Sequence, residues 1–191
     1  MATQATAREI AVVGVIGAGQ MGSGIAQLAA AAGCGVLLLD SDTAALSRAV
    51  DSISSSLRRL VAKGQLSQAS CEHSIEQIKC VSSVQELRDA DLVIEAIVES
   101  EDIKKKLFVE LDKITKPSAI LASNTSSISI TRLASATNRP CQVSLISTLS
   151  FNAASSFLDS IANHMLTCYF CVGITYCFGA TSWIEKENAL V

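Results

Sequence analysis

Apolar positions along this chain change period in a regular order. Ala11 to Ile16 is an almost continuous apolar run, the pattern of a strand buried on both faces. An Ala-rich stretch without proline continues to Ala32 and predicts a helix, and Val36 to Leu39 reads as a second apolar strand. Beyond it Leu46, Val50, Ile53, Leu57, Leu60 and Val61 recur at helical spacing, with Asp42 placed to cap the start and Gly64 near the end. Ser67 is placed to cap a shorter helix through His73, which makes a helical hairpin longer than a plain crossover needs. Ile78 to Val81 is a short strand, and Ser83 with Glu86 has the capping-box spacing of a helix start. Leu92 to Ile97 is the next strand. Glu101 to Ile114 is an amphipathic helix stopped by Pro117. Ala119 to Ala122, a helix over Ile128 to Ala134, and a strand beginning at Gln142-Val143 complete the pattern. Strands alternating with helices predict an α/β fold, a doubly wound parallel sheet whose ligand lies at the carboxyl ends of the strands.

The first strand runs into Gly17-Ala18-Gly19-Gln20-Met21-Gly22, a G-x-G-x-x-G turn. In a Rossmann-like fold each glycine has a physical task. Gly17 permits the tight turn, Gly19 lets a pyrophosphate approach the backbone, and Gly22 lets the helix pack close to the strand. The helix start offers free N–H groups and a positive dipole end to phosphates. Asp40 ends the second strand 18 residues after Gly22, where an acid hydrogen-bonds the adenosine ribose. With Ser41 and Asp42 beside it and no arginine adjacent, Asp40 would repel a 2′-phosphate, so NAD is the expected cofactor rather than NADP.

A chain of 191 residues has room for one ordinary domain, or for one domain and an appendage. The net charge of −3 argues against nucleic acid as a partner. Seven cysteines without framework spacing point to a reducing compartment, and no secretory signal opens the chain, so a cytoplasmic location is expected. The last residues, Ala189-Leu190-Val191, are no peroxisomal address, though a peroxisome stays open for a longer form.

The blocks GVIGAGQMGSGIAQ, DLVIEAIVE with a lysine five residues on, and ILASNTSSISIT, in that order, closely resemble the NAD-binding domain of 3-hydroxyacyl-CoA dehydrogenases, including 3-hydroxybutyryl-CoA dehydrogenases. The resemblance implies an oxidoreductase of fatty acid metabolism that oxidises a 3-hydroxyacyl-CoA to the 3-oxoacyl-CoA and passes hydride to NAD. It implies that Gly17, Gly19, Gln20, Met21 and Gly22 hold the pyrophosphate and Asp40 the ribose. Glu99 and Lys104 would sit by the nicotinamide end, and Asn124 near its ribose. Ser126 would hydrogen-bond the substrate's 3-oxygen, and Ser56 and Lys63 in the hairpin would meet CoA. No metal site is expected in this domain. Plainer readings stand beside these: a surface pair for Glu99 and Lys104, a helix N-cap for Ser126, a solvated helix face for Ser56 and Lys63.

The resemblance covers residues 9–143 and then departs. Where the family places a Gly-x-His-Phe segment carrying its general base, this chain reads Ser144-Leu145-Ile146-Ser147-Thr148-Leu149-Ser150, and its only histidines are His73 and His164. The domain division expected is therefore residues 1–143 as the NAD-binding domain and 144–191 as a non-homologous apolar tail that is not a domain. The family's helical C-terminal domain, with most of its homodimer contact, is expected to be absent. The chain is expected to bind NAD with impaired catalysis. The alternative is a non-catalytic NAD-binding module, associated with a membrane through residues 160–184. The tail reads as translated intron in a splice variant, since Gln142-Val143-Ser144 can be encoded across a splice-donor sequence. His164, Cys168, Cys171 and Cys177 form a weaker zinc reading, because their spacing fits no usual pair of knuckles.

Overall fold

The structure, a computed structural model, describes residues 10–146. The segment 160–184 and the histidine–cysteine set of the tail lie outside the described residues. Six parallel strands form one sheet in the order β3-β2-β1-β4-β5-β6. They are β1 (Val12–Ile16), β2 (Gly35–Leu39), β3 (Ile78–Val81), β4 (Leu92–Glu95), β5 (Ile120–Ser123) and β6 (Val143–Leu145). Every pairing is parallel, with Val13 flanked by Val36 on one side and Leu92 on the other. The helices are α1 (Gln20–Ala31), α2 (Thr43–Ala62), α3 (Gln68–Glu76), α4 (Glu101–Ile114) and α5 (Ile130–Ala134). The doubly wound sheet with an α2–α3 hairpin between β2 and β3 agrees with the pattern of the sequence. Among the described residues no helix is long and apolar enough to cross a membrane.

Alternation along the strands sorts the core into two layers. Val13, Val15, Val36, Leu38 and Ile94 face α1 and α2, where Ile25, Ala29, Ile53 and Leu57 meet them. Ile16, Leu39, Val93 and Leu121 face the opposite layer, filled by Phe108 and Leu111 of α4. Alanines at 26, 29 and 30 keep the buried face of α1 thin, so the helix can lie close to the sheet.

Local chemistry sets the boundaries. The Asp42 carboxylate accepts from the Ala44 N–H at 2.9 Å and caps α2. That helix ends in paired bonds from Gly64 N–H to the Val61 carbonyl and from Gln65 N–H to the Leu60 carbonyl. Ser67 caps α3, which runs on to Glu76 rather than stopping at His73. The Ser83–Glu86 capping box is present, but it opens a short 3₁₀ turn (Val84–Leu87) instead of a regular helix. β4 ends at Glu95 rather than Ile97, because the Glu95 carboxylate takes the Ile97 N–H at 2.7 Å and turns the chain out of the sheet. β5 is shifted by one residue and includes Ser123, and α5 begins at Ile130.

Candidate functional site

Strand order reverses between β1 and β4, so the loops after these strands diverge and leave a crevice at the carboxyl edge. The turn after β1 occupies it. Gly17 has φ +103°, and a Cβ there would lie 2.5 Å from the Ala96 carbonyl oxygen. A Cβ on Gly22 would lie 1.7 Å from the Gly17 oxygen, so the start of α1 is seated directly on the turn. Gly19 is different: a Cβ there meets nothing within 4 Å. It stands at the N-cap of α1 with no side chain capping the helix and no acid in the first turn. Backbone N–H groups and the positive helix end therefore face open space, with Gln20 and the exposed Met21 beside them. These features suit the pyrophosphate of a dinucleotide.

Asp40, just past β2, locks this turn to its neighbour. Its Oδ2 accepts from the Ala18 N–H at 2.7 Å and its Oδ1 from the Asp42 N–H at 2.9 Å. An open groove leads from the turn between α1 and α2, lined by Gly19, Gln20, Arg48, Ser52, Ser56 and Arg59 among others. Ser56 is half-buried in it, whereas Lys63 is an exposed C-cap of α2 and does not line it. Arg48 and Arg59 were not singled out in the sequence. Their spacing on the same helix as Ser52 and Ser56 was the signal available.

Across the crevice lies a buried charge cluster. Lys104 of α4 is fully buried, with its Nζ 2.9 Å from Glu95 Oε1 and 2.9 Å from Glu99 Oε2. Glu95 is equally buried, and the Ser123 hydroxyl donates to its Oε2 at 2.6 Å. The other oxygen of Glu99 gathers the loop after β5: it accepts from the Thr125 hydroxyl, the Ser126 N–H at 3.2 Å and the Ser127 hydroxyl at 3.0 Å. Partial burial works to raise the Glu99 carboxyl. Hydrogen bonds from Thr125, Lys104 and Ser127, with the Lys104 charge, outweigh it and lower the pKa to about 2. The pair is thus no surface salt bridge at its lysine end. Ser126 is exposed and is not a helix cap, since α5 starts after Ser129. Asn124 is half-buried, its N–H bonded to the Glu95 carbonyl at 2.8 Å. Glu95 and Ser123 were missed in the sequence, although a carboxylate closing the apolar run Leu92-Val93-Ile94 was a visible anomaly.

A parallel sheet in this order, with a glycine turn seating an uncapped helix at the point of reversal, is a dinucleotide-binding domain. The family described as the NAD-binding domain of 3-hydroxyacyl-CoA dehydrogenase matches residues 12–152, and the chain belongs to it. A 3-hydroxybutyryl-CoA dehydrogenase of Bradyrhizobium diazoefficiens is 48% identical over 128 residues, which cover 67% of this chain and 44% of that protein. A probable 3-hydroxybutyryl-CoA dehydrogenase of Deinococcus radiodurans is 50% identical over 129 residues, covering 68% and 46%. The chain therefore spans less than half the length of these curated relatives. The crystal structure of 3-hydroxybutyryl-CoA dehydrogenase from Escherichia coli superposes with a TM-score of 0.74 at 35% identity, covering 84% of this chain and 37% of that one.

Proposed function

We propose that this chain binds NAD along the carboxyl edge of its sheet and that the reaction it serves is the oxidation of a 3-hydroxyacyl-CoA to the 3-oxoacyl-CoA. One observation carries the reading: the glycine turn with Asp40 on one side of the crevice faces Glu99, Asn124 and Ser126 on the other. In this reading Gly17, Gly19, Gln20, Met21 and Gly22 hold the pyrophosphate through backbone N–H groups, and Asp40 accepts from the adenosine ribose. Glu99 and Lys104 border the nicotinamide end, with Asn124 near its ribose. Bound NAD supplies the hydride acceptor. Ser126 is the catalytic residue of this chain, its exposed hydroxyl orienting the 3-oxygen while Glu99 holds its backbone in place. Ser56 and Lys63 meet the CoA moiety, and Arg59, which shares the groove with Ser56, adds a guanidinium for its phosphates. The named relatives support the acyl-CoA substrate class.

A specific departure favours weak turnover by the chain itself. The family's general-base histidine has no counterpart in Ser144 to Ser150, and the only imidazole among the described residues is His73, on α3 beside the far edge of the sheet. General acid–base catalysis contributes ~10²–10⁴-fold, so turnover falls by about that factor while NAD affinity persists. The test is an NADH titration by fluorescence, followed by oxidation of 3-hydroxybutyryl-CoA on the same sample. Binding with slow turnover is expected. An ordinary enzymatic rate would refute the catalytic deficit, and absence of binding would remove the whole reading.

A further inference from the structure

Glu95 and Lys104 are the two fully buried charged residues among the described residues. Holding β4 to α4 does not require them, because apolar residues of similar volume often do so as well or better than a buried ion pair. Their place matters more. Lys104 is shared between Glu95 and Glu99, so the three formal charges sum to −1. The neighbouring Glu101 has two cations, Lys105 at 2.6 Å and Arg132 at 3.1 Å. Their one excess positive charge sits on side chains open to solvent, which screens it, unlike the buried Glu95 and Lys104. The surplus negative charge stands on the β4 side of the turn, and Asp40 stands on the β2 side.

The inference drawn from this rests on the reading of the site proposed above. With the adenosine half toward Asp40, the nicotinamide half lies over β4 and β5. The oxidised ring carries a formal positive charge, which it loses on accepting hydride. We infer that Glu95, with Lys104 and Glu99, determines specificity for the redox form of the cofactor: the surplus negative charge favours oxidised over reduced dinucleotide. Burial makes the Glu95 charge count, because it is poorly screened by solvent.

The experiment compares dissociation constants of NAD+ and NADH for the full chain, by calorimetry and by fluorescence. Glu95→Gln removes one negative charge and keeps an acceptor for Ser123. It is expected to raise the ratio of the NAD+ constant to the NADH constant about fivefold, the size of one partly screened unit charge. Glu99→Gln, at a more exposed position, makes the same change of charge and shifts the ratio the same way even if the buried variant folds poorly. Ser123→Ala removes the hydrogen bond from Ser123 to Glu95 without changing charge and leaves the ratio where it was. A merely structural role would weaken both forms alike and leave the ratio unmoved. An unchanged ratio in both charge variants, or an equal shift in Ser123→Ala, overturns the inference while the site reading stands. Failure of the unsubstituted chain to bind either form overturns the site reading, and the inference falls with it.

Discussion

Gly22→Ala and Gly19→Ala separate what the turn does for the fold from what it does for a ligand. At position 22 the new methyl would stand 1.7 Å from the Gly17 carbonyl oxygen. Real Cβ contacts stay beyond 3.0 Å, so the two must part by about 1.3 Å. Gly17 cannot yield easily, because its N–H is bonded to the Leu39 carbonyl at 2.8 Å and its own Cα faces the Ala96 carbonyl. The displacement therefore falls on α1, which lifts Ile25, Ala26 and Ala29 from Val13 and Val15. Overpacking of this kind costs ~1–3 kcal/mol. For a chain of this size that is a fall in Tm of roughly 2–12 °C. At position 19 the methyl enters open space and the backbone, φ −72°, is ordinary for alanine, so stability should change by no more than ~0.5 kcal/mol. NADH affinity should fall about tenfold or more if that space receives the pyrophosphate. Thermal melting and NADH fluorescence titration on both variants provide the readout. A Gly22→Ala protein that melts with the unsubstituted chain would refute the steric reasoning, and full NADH affinity in Gly19→Ala would refute the placement of the ligand.

Gly24→Ala is a control on the same helix: its methyl also meets nothing within 4 Å, and the gain in helix propensity should raise stability by ~1 kcal/mol in urea denaturation. Lys104→Met strands Glu95 without its cation and should cost ~3–5 kcal/mol, read as a lower urea midpoint; an unchanged midpoint would show that the pair is not held as described. Because the folded pKa of Glu99 lies near 2, below its ordinary 4.5, its contribution is full above pH 4.5 and is lost as pH falls from there toward 2. Glu99→Gln should flatten the stability profile across that window, and a profile as steep as that of the unsubstituted chain would contradict the assignment. Arg139 donates to Asp112 Oδ1 at 2.6 Å and to the Lys116 carbonyl at 2.6 Å, closing the end of α4. Its fork geometry should make Arg139→Lys destabilising by ~1–3 kcal/mol in thermal melting, with a wild-type Tm as the contrary result.

Much of this architecture is written locally. Short apolar runs, Ala-rich stretches and period-3.6 patterns are properties of short segments, so the strands are legible from their apolar runs, α1 from its composition, and α2 and α4 from spacing, as are the caps at Asp42, Ser67 and Ser83. The glycine turn is equally local: positive φ at Gly17 and close seating at Gly22 are demands on the residues themselves. With them the chain's class and its cofactor are legible in the sequence. Other features depend on residues far apart in sequence. The Glu95 carboxylate is held by Lys104 and Ser123, and neither partner is visible from the apolar run that precedes it. The loop holding Ser126 takes its shape from Glu99, 27 residues earlier. Arg48 and Arg59 become part of a groove only because α2 lies against α1. Short-range patterning specifies elements because hydrophobic burial acts on one face of each segment. Which charges share a low-dielectric pocket is decided only when packing brings the segments together and excludes water from between them.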